Sequence, residues 1–291
     1  MNIKSVTIGL LQQSRNKNLE QNLESTVHEI IKLSKKGAQI VCLQELFRSR
    51  YFCQSENSDQ FNLAETIPGP STTILSKLAK ELKIVIITPL FEKRTEGIYH
   101  NTAAVIDADG TIVGTYRKMH IPDDPFFYEK FYFTPGDKGF KSFQTRYGLV
   151  GVLICWDQWF PEAARLVSLS GAQFIFYPTA IGYHDNDSNV MKRQIAAWQT
   201  IQKAHAIANG VFVAAVNRVG RENNLTFWGR SFVSDPFGEI IAQADDKKSE
   251  TLIVECDLLK IEQTRHDWPF LRDRRVDAYK KLSQIYHDPS F

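Results

Sequence analysis

Apolar positions along this chain switch between two periods, and the switches mark out its elements. Residues 3–11, IKSVTIGLL, suit a strand, and Leu19, Leu23, Val27, Ile30 and Ile31 then fall at helical spacing until Gly37 supplies a stop. The apolar run in QIVCLQE, 39–45, predicts the next strand. Pro70 and Ser71 introduce a second helix in which Ile74, Leu75, Leu78, Ala79 and Leu82 share one face, and IVIITPLF at 84–91 follows as a buried strand. Alternation of this kind builds a parallel sheet. The pattern then changes: NTAAVIDADGTIVGTY, 101–116, sets two apolar runs around Asp-Ala-Asp-Gly, which predicts an antiparallel hairpin.

The second half answers in kind. LVGVLIC, 149–155, predicts a strand, followed by a helix through Ala163, Ala164, Leu166 and Val167, the strand QFIFYP, a long helix around 190–208 and the strand VFVAAV. GRSFVSDPFGEIIAQA, 229–244, repeats the hairpin with Asp-Pro-Phe-Gly as its turn. Two halves of similar order, with no Pro/Ser/Gly-rich spacer at 140–150, suggest one internally duplicated α/β domain over 1–291. Helical units paired with a repeated hairpin predict two sheets face to face with helices outside, a four-layer α-β-β-α sandwich. From about Leu258 the chain turns polar and Arg-rich with spaced aromatics, and is expected to pack as a tail on a partner subunit.

Composition narrows the function classes. The 35 Lys and Arg nearly balance 33 Asp and Glu, for a net charge of +2, and no basic run interleaves with aromatics as a nucleic-acid groove requires. The start, MNIKSVTIGLLQQS, lacks the pattern of a signal peptide, and no apolar stretch approaches the ~18 residues of a membrane span, so a cytoplasmic location and no membrane partner are expected. Cys42, Cys53, Cys155 and Cys256 are widely spaced, and the seven histidines form no close ligand pair, so neither a disulfide framework nor a metal site is expected.

In α/β sheets ligand sites lie beyond the carboxyl ends of strands. Three polar residues stand there: Glu45, Lys118 and Cys155. Taken singly, the charges read as solvated surface groups and the thiol as a small buried hydrophobe. Together they make an acyl-transfer set, because a thiol of ordinary pKa about 8.5 needs a carboxylate to take its proton and a cation to stabilise the developing anions. The corner after Cys155 also leaves the Trp156 and Asp157 N–H groups as expected oxyanion donors. Pro161 and Glu162 are ordinary helix-start residues.

QELF around Glu45, YRKMHIPDD around Lys118, FYEKFYFTPGD at 127–137 and GVLICWDQWFPEAAR at 151–165 resemble the carbon–nitrogen hydrolase (nitrilase) superfamily. The similarity runs through AHAIANGVFVAAVNRVG and WGRSFVSDPFGEIIA, nearly the whole chain. The resemblance implies an α-β-β-α sandwich, a homo-oligomer built on a dimer, no cofactor, and a covalent intermediate on Cys155. It makes Glu45 the base, Lys118 the oxyanion partner with the Trp156 N–H, and Cys155 the nucleophile. Glu129 matches a second glutamate beside this triad, either positioning substrate or pairing with Lys118 as a buried structural carboxylate.

HIPDDPFFYEKFYFTPGD and CWDQWFPEAAR are most similar to the members that act on carbamoylated diamines. Relatives acting on carbamoyl amino acids carry two arginines soon after the nucleophile, to clamp a carboxylate; Gln158 and Trp159 stand here instead. Asp157, Gln158, Trp156 and Trp159 are therefore expected around the substrate, with Asp185 and Asp187 of the next loop as candidate partners for its ammonium. A nitrile hydrolase and a non-catalytic scaffold remain as rival readings.

Overall fold

The computed structural model describes residues 4–184 and 188–287. Its first half runs β1 (Ser5–Gln12), α1 (Leu19–Lys35), β2 (Ile40–Leu43), α2 (Pro70–Leu82), β3 (Val85–Thr95), β4 (Ile98–Ile106) and β5 (Ile112–Arg117). Two short strands, β6 (Asp123–Asp124) and β7 (Phe127–Tyr128), and a one-turn helix α3 (Glu129–Tyr132) lead into the second half. That half comprises β8 (Ser142–Thr145), β9 (Gly148–Val152), α4 (Pro161–Leu169), β10 (Phe174–Pro178), β11 (Gly182–His184), α5 (Ser188–Asn209) and β12 (Phe212–Val216). It continues through β13 (Val219–Glu222), β14 (Leu225–Trp228), β15 (Phe232–Ser234) and β16 (Ile240–Gln243) to β17 (Glu250–Asp257) and α6 (Leu259–Asp267).

The duplication is visible in the strand order. One sheet reads β17-β1-β2-β3-β4-β5 and the other β16-β15-β12-β10-β9-β8. In the first, β1, β2 and β3 are parallel and the hairpin β4–β5 continues antiparallel; in the second, β9, β10 and β12 are parallel and β15–β16 continue antiparallel. Each sheet also adds one antiparallel strand beside its first parallel one, β17 on β1 and β8 on β9. The β8–β9 hairpin occupies the stretch where a linker would have stood.

Two features lie outside the sequence expectation. β17 is an edge strand in which Leu252 and Cys256 are buried while charged Glu250, Glu255 and Asp257 are exposed, an alternation weaker than a core strand's. The β13–β14 hairpin is closed by Asn223 and Asn224, with Asn223 at φ +54, a turn made by asparagine rather than glycine.

Side chains alternate across the sheets with period two. In β2, Ile40 and Cys42 enter the core between the sheets while Val41 and Leu43 face α1 and α2; in β3, Val85 and Ile87 go inward and Ile86 outward. Leu23, Ile30, Leu33, Leu75 and Leu78 of the two helices cover that outer face. Ala163, Ala164 and Val167 of α4 and Trp198 of α5 cover the second sheet. The result is the four-layer sandwich that the periodicity predicts. Among the described residues no helix is long and apolar enough to cross a membrane.

The seat of α4 on its sheet is tight at one point. A Cβ on Gly151 in β9 would lie 2.1 Å from Val167 Cγ1 in α4. Gly151→Ala is therefore expected to push the helix off the strand that leads to Cys155 and to cost about 1–3 kcal/mol, measurable as a lowered denaturation midpoint. An unchanged midpoint would show that α4 moves freely.

Candidate active site

Cys155 does not sit on a strand. β9 ends at Val152, the Leu153 N–H makes a last bond to the Phe176 carbonyl of β10 at 3.0 Å, Ile154 continues outside the ladder, and Cys155 opens a 3-10 turn, Cys155–Trp159, at φ +43. That is left-handed backbone, which costs a residue with a Cβ of order 1 kcal/mol or more and persists only when neighbours hold it. Asp157 does much of the holding. Its Oδ2 accepts from the Ile154 N–H at 2.8 Å and the Tyr116 hydroxyl at 2.7 Å, and its Oδ1 accepts from the His120 N–H at 3.1 Å and the His120 Nδ1 at 2.7 Å. The His120 ring in turn stacks on Phe160, 3.6 Å between centroids.

These bonds correct two expectations for the turn. The Asp157 side chain is wholly committed inside the protein and does not line a substrate cavity. Its N–H donates to the Ile154 carbonyl at 3.0 Å, leaving the Trp156 N–H as the one of the pair with no acceptor among the described residues. Gln158 also points away: its Oε1 accepts from Trp198 Nε1 at 2.8 Å and its carbonyl from His205 Nε2 at 2.8 Å, tying the turn to α5. An apolar flanking sequence cannot distinguish a polar residue aimed at ligand from one aimed at the next helix.

Glu45, Lys118 and Glu129 come together, all three fully buried. Lys118 follows β5 directly and its Nζ donates to Glu45 Oε1 at 2.9 Å and Glu129 Oε2 at 2.6 Å. Two of the three ammonium donors are thereby used. Asn101 Nδ2 donates to the same Glu45 oxygen at 2.7 Å, while Glu45 Oε2 is buried without a hydrogen-bond partner. Tyr51 donates its hydroxyl to Glu129 Oε1 at 2.7 Å. Glu129 thus pairs with Lys118 and lines the cavity as well.

Charge and burial set the protonation states. Burial opposes the Lys118 charge, but Glu129 and Glu45 outweigh it and hold its pKa well above that of an ordinary lysine. For Glu129, burial and the Glu45 charge work against Lys118 and raise its pKa to about 7. Burial likewise pushes the Cys155 thiol well up, the Glu45 charge adds to the rise, and Lys118 offsets part of it. Cys155 is therefore a neutral thiol near pH 7, in a place where the charges of Glu45, Lys118 and Glu129 all act on its sulfur. A carboxylate oxygen free to accept a proton, a buried ammonium with a spare donor and a thiol are the parts of acyl transfer.

Above Cys155 opens a cavity of about 570 Å³. Trp156 and Trp159 line it, joined by Phe126, Phe127 and Tyr183, and its carboxylates are Glu129 and Asp124. No lysine or arginine is among its described lining residues. Asp185 and Asp187 lie outside the described residues. No group of three or more His, Cys, Asp or Glu among the described residues could hold a metal ion.

Sequence reading missed the clamp beneath Glu45. Arg218, fully buried two residues past β12, donates to the carbonyls of Ser49 at 2.9 Å, Glu45 at 3.0 Å and Leu46 at 3.0 Å. Its charge is matched by Glu222 at 2.8 Å, and Glu222 also accepts the Tyr51 N–H at 2.6 Å. The same strand-end filter that selects Lys118 selects Arg218, but the guanidinium binds loop carbonyls rather than ligand.

Comparison with known proteins gives a consistent picture. The family model described as carbon-nitrogen hydrolase matches residues 7–266. An N-carbamoylputrescine amidase of Oryza sativa subsp. japonica is 48% identical over 271 residues, covering 90% of this chain and 89% of its own. A citrullinase of Francisella tularensis is 40% identical over 287 residues, covering 97% and 99%. The crystal structure of a carbon-nitrogen hydrolase from Helicobacter pylori G27 superposes with a TM-score of 0.94 at 48% identity, over 97% of this chain and 100% of that one.

Two outcomes are expected from these contacts. Arg218→Leu leaves Glu222 buried without its cation and frees three carbonyls, a loss of about 3–5 kcal/mol readable in denaturant unfolding; a variant as stable as the parent would mean the clamp is idle. The raised Glu129 pKa gives a pH signature. Its folded value of about 7 lies above the ordinary 4.5, so folding binds a proton between those values and the group's contribution to stability falls as pH rises through that window. Stability of the parent relative to Glu129→Gln should decline from pH 4.5 to pH 7; a flat difference would place the folded pKa in the ordinary range.

Proposed function

The chain belongs to the carbon–nitrogen hydrolase family, and from that premise we propose that it hydrolyses N-carbamoylputrescine to putrescine, carbon dioxide and ammonia. The observation that carries the substrate choice is the cavity over Cys155: aromatic walls, two carboxylates and no guanidinium or ammonium among its described lining. A substrate carboxylate buried there finds no cation, at a cost of several kcal/mol. An alkyl chain ending in an ammonium suits it. The 48% identity to a plant N-carbamoylputrescine amidase supports the same reading.

In this mechanism Glu45 takes the Cys155 proton through its unpartnered Oε2 as Sγ attacks the carbamoyl carbon. The carbonyl electron pair moves to oxygen, where the spare Lys118 N–H and the Trp156 N–H receive it. The intermediate collapses, one nitrogen leaves with the proton held by Glu45, and a thiocarbamate remains on Cys155. Water then gives a proton to Glu45 and attacks the same carbon, and the Cys155 sulfur leaves and regains that proton. The carbamic acid released loses carbon dioxide to free the second nitrogen, so the products are the same whichever nitrogen departs first. Because the resting thiol is neutral, proton removal and attack are concerted with substrate in place. Other electrophiles meet an unreactive sulfur.

The homo-oligomer built on a dimer that the resemblance implies is also proposed; of the tail expected from about Leu258, α6 packs Ile261 into this chain's own core, and the part beyond α6 is proposed to seat on a second copy. Exposed Leu282, Ile285 and Tyr286 support it.

Ammonia release from a panel tests the substrate. N-carbamoylputrescine should be used well, and citrulline, which carries a carboxylate beside its ammonium, at least tenfold less well in kcat/KM, roughly the effect of 1.4 kcal/mol. Citrulline used as readily would favour the activity named for the Francisella relative, and a nitrile as the preferred substrate would overturn the amidase reading. Cys155→Ser should lose turnover with the fold retained, because a hydroxyl is far harder to ionise with a carboxylate base. Activity surviving on Cys42, Cys53 or Cys256 would remove Cys155 from its role.

A further inference from the structure

The cavity offers its two carboxylates on different terms. Glu129 is buried and already committed to Lys118 and Tyr51. Asp124 is exposed at the rim, and among the described residues its side chain accepts no hydrogen bond and joins no ion pair. A carboxylate of that kind is normally just solvated. Here its backbone is held in a specific place. β6 and β7 pair as Asp123↔Tyr128 and Asp124↔Phe127, so Pro125 and Phe126 alone make the turn. Phe126 is held at φ +68, and its ring stacks on His184 from β11 at 4.5 Å between centroids and 3° between planes. A non-glycine residue in left-handed backbone at a hairpin tip needs such an outside contact to stay there. β7 runs straight into α3, which begins with Glu129, so one short hairpin carries both the acid beside Lys118 and the acid at the rim.

We propose that Asp124 anchors the distal ammonium of the substrate, a cation subsite at the cavity mouth. The inference rests on the diamine reading above and assigns to that site its charge-selective residue. The cavity that Cys155 and Asp124 both line is walled by Phe126, Phe127, Trp156 and Trp159. Those rings bury methylene groups and attract a cation to their faces. The carboxylate then supplies the opposite charge in an environment where the bound chain displaces water from one side of the pair. Both effects select an amine-terminated chain over a neutral or acidic one.

The test compares kcat/KM for N-carbamoylputrescine and for the uncharged N-carbamoylbutylamine in the parent enzyme, Asp124→Asn, Asp124→Glu and Asp187→Asn. The parent should favour the charged substrate, and that preference should weaken with added salt. Asp124→Asn should reduce the ratio of the two kcat/KM values by about fivefold, the scale of a rim ion pair, through KM rather than kcat. It should also abolish the salt dependence of the ratio. Asp124→Glu, which keeps the charge, should retain part of the ratio. A ratio in Asp124→Asn equal to the parent's, or one lost in Asp187→Asn instead, overturns the subsite and leaves the diamine reading standing. A parent enzyme with no preference for the charged substrate overturns the diamine reading and the subsite together.

Discussion

Lys118 is a fully buried ammonium hydrogen-bonded to two carboxylates, Glu45 equally buried and Glu129 reaching only the cavity. Taking such groups out of water costs several kcal/mol each, and their mutual attraction compensates only if the geometry is close and the remaining lone pairs are satisfied. That requirement governs much of the surrounding structure. Asn101 and Tyr51 each contribute one hydrogen bond to a carboxylate, and Arg218 fastens the turn from which Glu45 projects. The carboxylates outnumber the ammonium by one, so a resting thiolate would add a further negative charge to an already anionic cluster. Burial of the thiol first, and this charge second, keep the Cys155 proton on sulfur until there is somewhere for the charge to go. The network is left open at Glu45 Oε2 and Asn101 Oδ1, both buried without a hydrogen-bond partner, and at the third Lys118 N–H.

Backbone strain follows the same centre. Of the six non-glycine residues with positive φ among the described residues, Leu46 adjoins Glu45, Cys155 carries the thiol and Phe126 shapes the cavity wall. Each is restrained from a different direction: Arg218 on the Leu46 carbonyl, Asp157 across the start of the 3-10 turn, and His184 on the Phe126 ring. Positions that only glycine would take without cost are held here by side chains whose contacts are built by distant parts of the chain.

The layers were legible in the sequence because period-two and helical patterns report which face a residue buries, and Ile40 and Cys42 against Val41 and Leu43 do so within four residues. The end-of-strand positions of Glu45 and Lys118 were legible for the same reason, since β2 and β5 stop within two residues of them. The local structure at Cys155 was not, because an apolar run reads as strand whether or not it pairs, and here the bonding to β10 stops at the Leu153 N–H, two residues short of Cys155. Direction was also hidden. Asp157 and Gln158 lie beside the reactive residue in sequence, yet they bond to Tyr116, His120 and Trp198, 37 to 41 positions away. Long-range partners of that kind leave no periodic trace, and the same holds for Arg218, whose loop carbonyls are 169 to 173 residues distant.

The internal symmetry of the fold does not extend to the chemistry it carries. Glu45, Asn101 and Lys118 issue from the sheet built by the first half, and Cys155 and Arg218 from the sheet built by the second. The two halves are alike in strand order and differ in what they carry at corresponding strand ends. Neither half holds the full set, so the reacting groups exist as a set only where the two sheets face each other, and the packing between the sheets is itself a condition of the chemistry.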